Sequence, residues 1–207
     1  MNKISIIDYG LCNLYNVSNA LNHLKVKVEI IENPKDVTNA SHLILPGVGA
    51  FKNGMRGLRI RNLIEPIKEH VDKNKPFLGI CLGMQMMLSK SYEFGENAGL
   101  NIIDGEVVKI PQTNNTGRAH KIPHIGWNKI IYKKDKIMNG QNSKSSMYFV
   151  HSYKAECRKS ENVLAHTIYN DIEITAIINS KKAYGCQFHP EKSGKYGLCL
   201  LNEFIKL

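Results

Sequence analysis

The 207 residues contain no hydrophobic run of bilayer-spanning length. The first residues, Met1-Asn2-Lys3-Ile4-Ser5-Ile6-Ile7-Asp8, meet a carboxylate too early for a signal peptide or a transmembrane segment, so a soluble, cytoplasmic protein with no membrane role is expected. Cysteine is sparse. Cys12, Cys81, Cys157, Cys186 and Cys199 are odd in number, scattered and without a Cys-x-x-Cys pair, which excludes a disulfide framework and a thiolate zinc site. His120, His124 and His151 do not fall at the spacing of a metal triad, so they are expected to serve structure, and neither metal nor cofactor is expected. Acidic residues are too few to balance the bases, leaving a net charge of +10. The lysines are nevertheless spread out, with short pairs such as Lys133-Lys134 and Lys181-Lys182, and no basic run is interleaved with aromatics. Nucleic-acid binding is therefore not expected. Repeats and low-complexity segments are absent too.

The length suits one domain over 1–207 with a core large enough to need no staples. The first half alternates. Strands are expected at Ile4–Ile7, Val26–Ile31, His42–Leu45 and Pro76–Ile80, and helices at Asn13–Lys25, after Asn33-Pro34, at Leu58–Val71 and at Leu82–Ser89. Such alternation implies an α/β fold with a mainly parallel central sheet flanked by helices, and sites at the carboxyl ends of its strands. From Leu100 the pattern changes to short β-like stretches at Glu106–Ile110, Asn128–Tyr132, Met147–Val150, Val163–Ile168, Ile172–Ile178 and Ala183–Phe188, expected as antiparallel strands added to that core. Tyr196–Ile205 is expected to be a closing helix, and the polar, turn-rich Gln112–Gly117 a mobile loop.

Cys81 carries the strongest chemical signal. It ends the apolar run Phe77-Leu78-Gly79-Ile80 and opens Leu82-Gly83-Met84-Gln85, a thiol version of the strand–turn–helix elbow that exposes a nucleophile. A helix N-terminus favours the thiolate, which is the reactive form. Far downstream, His189 could act as base, with Glu191, two residues on in an extended segment, orienting its ring. A lone cysteine reads as a small buried hydrophobe; the elbow and the His-x-Glu together favour the nucleophile. Pro46-Gly47-Val48-Gly49 follows another strand, so Gly49 could aim an N–H at an oxyanion, with the Leu82 N–H as second donor; an ordinary glycine turn is the plainer alternative. Gln85 lies one turn beyond Cys81 on the same helix face, as a substrate contact or as a solvated polar residue.

Gly79–Gln85 (GICLGMQ), Pro46–Gly49 (PGVG) and Gln187–Ser193 (QFHPEKS) resemble the class I, triad-type glutamine amidotransferases. Ile7–Leu14 (IDYGLCNL), Lys121–Asn128 (KIPHIGWN) and Tyr148–Tyr153 (YFVHSY) narrow the resemblance to the glutaminase (HisH-type) subunits of imidazole glycerol phosphate synthase, over essentially the whole chain. The resemblance implies a flavodoxin-like fold and hydrolysis of L-glutamine to glutamate and ammonia. Cys81, His189 and Glu191 would be catalytic, Gly49 and Leu82 the oxyanion hole, and Gln85 and the Ser152-Tyr153 backbone the substrate contacts. It further implies a heterodimer with a (β/α)8-barrel cyclase or synthase subunit, which joins the ammonia to a phosphorylated precursor to give imidazole glycerol phosphate and AICAR in histidine biosynthesis. Asn13, Tyr148, Lys192 and Trp127 match positions near the docking mouth, against plainer roles as helix cap, core aromatics and surface charge. Cys12 stands where the family usually has glycine, changing the loop near that mouth. Together with the basic charge it keeps open a paralogue feeding another synthase, such as one amidinating a bacterial surface sugar. A silent regulatory relative and a basic binding module are the other classes, and the intact triad counts against silence.

Overall fold

A computed structural model describes residues 3–207; Met1 and Asn2 of the expected 1–207 domain lie outside the described residues. The chain runs β1 (Lys3–Ile7), α1 (Leu14–His23), β2 (Lys27–Ile31), α2 (Pro34–Asn39), β3 (His42–Gly47), α3 (Phe51–Ile60), α4 (Ile64–Asp72), β4 (Phe77–Cys81) and α5 (Leu82–Met86). It continues through β5 (Leu88–Ser91), β6 (Asn97–Ala98), β7 (Ile103–Lys109), β8 (His124–Lys129), β9 (Ile131–Tyr132), β10 (Ser146–His151), β11 (Tyr153–Cys157), β12 (Val163–Tyr169), β13 (Ile172–Ser180), β14 (Ala183–Cys186) and α6 (Gly194–Ile205).

The main sheet has the order β2-β1-β3-β4-β14-β13-β12-β9. Its first five strands are parallel and the remaining three antiparallel. β1, β3 and β4 are buried on both faces because helices cover both, as parallel sheets require. On one face α1 and α6 pack over Ile4, Ile6, Ile44 and Ile80; on the other Phe51, Leu58 and Ile67 of α3 and α4 pack over Ile7, Leu43 and Leu45. The strand order turns back at β1, with β2 on one side and β3 and β4 on the other, and the carboxyl ends of β3 and β4 form the crevice beside it.

Several expectations are corrected. Leu58–Val71 is two helices, because Asn62 adopts φ 55° and its neighbours close the helix with Asn62 N–H to Arg59 O and Leu63 N–H to Leu58 O. The helix after Cys81 ends at Met86, not Ser89, since Leu88 begins a strand that pairs with β7. Asn128–Tyr132 is divided: β8 pairs with β10 alone, whereas β9 adds to the main sheet beside β12. The added antiparallel strands thus extend the core only in part, the others forming a two-stranded and a four-stranded sheet of their own. The expected loop at Gln112–Gly117 is present, and within it Asn114 Oδ1 accepts from the N–H groups of Thr116 and Arg118. Among the described residues no helix is long and apolar enough to cross a membrane.

Candidate active site

Cys81 sits where β4 passes directly into α5, with φ 53° and ψ −107°. A side chain in that region is strained, and the surroundings enforce it. Gly83 is the reason the turn closes so tightly: a Cβ there would lie 1.8 Å from the Leu45 carbonyl oxygen of β3. The elbow leaves Cys81 only 8% exposed, at the edge of a cavity of about 390 Å³.

That cavity is lined by Gly49, Cys81, Leu82, Gln85, Ser152, Tyr153 and His189, all singled out from the sequence. Glu191 stands behind His189, its Oε1 accepting from the ring Nδ1 at 2.8 Å. The expected extended His-x-Glu geometry is corrected here: Pro190–Lys192 is a 3₁₀ turn, which curls the carboxylate back onto its own histidine. Burial alone would lower the His189 pKa, but hydrogen bonds to Cys81 and Glu191 and their charges outweigh it and hold it at about 10. These contacts with Cys81 and Glu191 favour the protonated ring.

Gly49 has φ +90° in open space, so glycine is needed there for the backbone and not for room. The peptide before it is tied down: Val48 N–H donates to Leu11 O at 3.0 Å. Cys12 lies half-buried in the same loop, its sulfur 3.5 Å from Ile7 O and 3.7 Å from Pro46 O, so its side chain turns toward the Pro46–Gly49 strand end.

Gln85 is buried, not solvated. Its amide hydrogens go to Tyr153 O at 3.2 Å and Gln187 Oε1 at 3.1 Å, leaving its oxygen as the free function. Gln187 in turn approaches Cys81 Sγ with its Nε2 at 3.7 Å. The sequence reading passed over Gln187, although it lies two residues before His189 and so shares its side of an extended segment. It also missed Glu93, which lines the cavity from the turn after β5 and accepts the Phe51 N–H at 2.6 Å, the first of α3. No spacing links Glu93 to Cys81, so only the fold could reveal it. His151 lines the cavity as well.

Asn13, Tyr148, Lys192 and Trp127 do not line the cavity. Asn13 caps α1 by accepting from Asn16 N–H at 3.4 Å. α1 and β10 both pack against the 190–192 turn, and the Trp127 and Tyr148 rings meet edge-to-face at 5.9 Å, which places the four on one side of the molecule. Trp127 is 57% exposed and Lys192 exposed, so neither belongs to the core.

Residues 5–207 match the family model "Glutamine amidotransferase class-I". The chain is 46% identical to imidazole glycerol phosphate synthase subunit HisH 1 of Legionella pneumophila (strain Lens), with all of both chains covered. It is 42% identical to the HisH subunit of Lactococcus lactis subsp. lactis, covering 100% of this chain and 99% of that one. Among solved structures, PurLQS of Thermotoga maritima superposes with a TM-score of 0.75 at 16% identity, covering 99% and 98% of the two chains, which speaks for the fold. A putative GMP synthase protein from Thermoplasma acidophilum gives 0.71 at 21%, covering 100% and 93%. With a family match over nearly the whole chain and full-length relatives above 40% identity, the chain belongs to the class I glutamine amidotransferases, and among them to the HisH subunits.

Proposed function

We propose that this chain is the glutaminase subunit of an imidazole glycerol phosphate synthase, a single cytoplasmic domain that releases ammonia from L-glutamine for histidine biosynthesis. The observation that carries the reading is the strained Cys81 elbow facing a protonated, Glu191-held His189 across a cavity large enough for an amino acid.

In this reading Cys81 Sγ attacks the carboxamide carbon, and the oxyanion is received by the Gly49 and Leu82 N–H groups. The imidazolium of His189 gives its proton to the departing nitrogen, so ammonia leaves and a glutamyl thioester remains. His189, now neutral, takes a proton from the water that attacks the thioester, and collapse of the adduct releases glutamate and restores the Cys81 thiolate beside the His189 imidazolium. Glu191 fixes the ring throughout. The Ser152-Tyr153 backbone, the free Gln85 oxygen and the Glu93 carboxylate would hold the amino-acid end; both oxygens suit the α-ammonium group.

Ammonia protonates in water at neutral pH, so a useful product must pass directly to a synthase. The curated relatives carry the name of subunits of such a synthase. Asn13, Trp127, Tyr148 and Lys192 would form the docking mouth, and a (β/α)8-barrel subunit the partner. The test is glutamate and ammonia formation by the chain alone, with the cognate synthase and its ligand, and with Cys81→Ala. Activity appearing with the partner and vanishing in Cys81→Ala is expected. Turnover only with a sugar-modifying synthase would reassign the ammonia to the paralogous reading, and no turnover with any partner would remove the enzyme reading.

A further inference from the structure

Gln187 has no part in the reaction as set out above, yet its side chain is fully buried and its amide nitrogen faces the reacting sulfur. We propose that Gln187 is a further catalytic group, whose side-chain N–H donates to Cys81 Sγ and favours the thiolate, both before attack and when the thioester is broken. The proposal rests on the reading of Cys81 as the nucleophile.

Strand register brings the two residues together. β14 pairs in parallel with β4 so that Cys186 lies opposite Ile80, and the next residues, Gln187 and Cys81, come side by side at the carboxyl ends of the two strands. Gln187 is tied there by its backbone N–H, which donates to Ala176 O of β13 at 2.9 Å. Its side chain is 0% exposed, and a buried amide is costly unless both of its ends find partners.

Which end faces which partner follows from a carbonyl. Tyr153 O can only accept, so the Gln85 atom 3.2 Å from it is the amide nitrogen. That nitrogen has a second hydrogen for Gln187, 3.1 Å away, and the atom that receives it is the Gln187 oxygen. The Gln187 nitrogen is thereby left for Cys81, with 3.7 Å between Nε2 and Sγ, and each link of the chain has one donor and one acceptor.

A sulfur accepts weakly as a thiol and more strongly as an anion, so this contact favours the charged form. His189, with Glu191 behind it, is the charged neighbour of Cys81; the Tyr9 hydroxyl and the Cys186 thiol are within electrostatic reach too, but burial pushes both up and keeps them neutral. Gln187 differs from His189 in that its hydrogen is never transferred. It still faces the sulfur once His189 has given its proton to the departing nitrogen, and it receives the thiolate that leaves as the hydrolytic adduct collapses.

The test follows the thiolate directly, in the full-length protein without glutamine or partner: the rate of Cys81 alkylation by iodoacetamide against pH, read by mass spectrometry of the Cys81 peptide. Gln187→Met keeps the length of the side chain and removes the N–H; Gln85→Met cuts the link at its outer end and keeps the Gln187 N–H. Gln187→Met is expected to raise the pH midpoint of alkylation by about one unit, and Gln85→Met to leave it within about 0.3 unit. In glutamine turnover with the synthase subunit present, Gln187→Met should lose about tenfold in kcat, whereas the loss in Gln85→Met falls on KM. Should Gln187→Met fail to fold, Gln187→Asn keeps a buried amide but withdraws it by one carbon–carbon bond, about 1.5 Å, and is expected to raise the midpoint by about half a unit. An unmoved midpoint in the Gln187 variant that folds, an equal shift in Gln85→Met, or a parent Cys81 that resists alkylation at every pH would overturn the role. Absence of glutamine turnover alongside a shifted midpoint would instead sink the glutaminase reading and leave the sulfur contact standing.

Discussion

Glu191 and His189 show how much one hydrogen bond decides. The carboxylate and the Cys81 contact raise the histidine pKa from its ordinary 6.5 to about 10 against the opposing pull of burial. A folded-state pKa above the unfolded one stabilises the protein fully below about pH 6.5, and that contribution is lost as pH rises through about 10. Glu191→Gln removes the charge and leaves the burial, so the His189 pKa falls. If the departing ammonia takes the His189 proton, as proposed, the alkaline limb of glutamine hydrolysis should move to lower pH, with a rate loss on the order of 10²–10⁴. A pH–rate profile checks both, and an unmoved alkaline limb would contradict the proposed acid role. Cys81, His189 and Glu191 were legible as candidates because each has a local signature. Gln187 and Glu93 have none as strong, since what matters about them is which distant loop arrives beside them.

α5 behaves unlike a surface helix: all five of its residues are buried, and its position is set by contact with β3. Gly83 makes that contact, with no room for a Cβ against Leu45 O. Gly83→Ala should therefore push α5 off the sheet, cost at least about 3 kcal/mol in urea unfolding and displace both the Leu82 N–H and Cys81. A normal unfolding midpoint with retained activity would show that the elbow tolerates the shift. Alternating strands and helices in the first half were legible because their apolar spacing is regular over whole segments. Boundaries were not, where a single Asn62 at positive φ splits a helix or a buried Leu88 joins a neighbouring strand instead of continuing one. Periodicity cannot distinguish those outcomes, because both keep the same apolar residues inside.

At the scale of the molecule, the candidate cavity and the exposed Trp127 are connected through β8 and β10: His151 of β10 lines the cavity, and Tyr148 of the same strand pairs with Trp127 of β8. Trp127 is mostly exposed and its ring touches Tyr148 edge-on, so Trp127→Ala should leave stability within about 0.5 kcal/mol. If this surface docks the synthase, the same change should weaken partner binding by about 2 kcal/mol, near thirtyfold, as buried interface tryptophans do. Titrating the synthase into a glutaminase assay separates the two effects. Unchanged partner affinity would move the docking surface elsewhere.

The sequence by itself determined the parallel α/β core, the elbow cysteine, the histidine–carboxylate pair and the Pro46–Gly49 turn, because each depends on residues close together in the chain. Tertiary structure alone decided that Glu93, Gln187 and His151 share the cavity with them, that Cys12 faces the Pro46–Gly49 strand end, and that Gln85 is engaged with Tyr153 and Gln187. These are contacts between residues tens of positions apart, set by which strand lies beside which. No local pattern encodes that geometry; it follows only when the sheets have paired and the helices have packed against them.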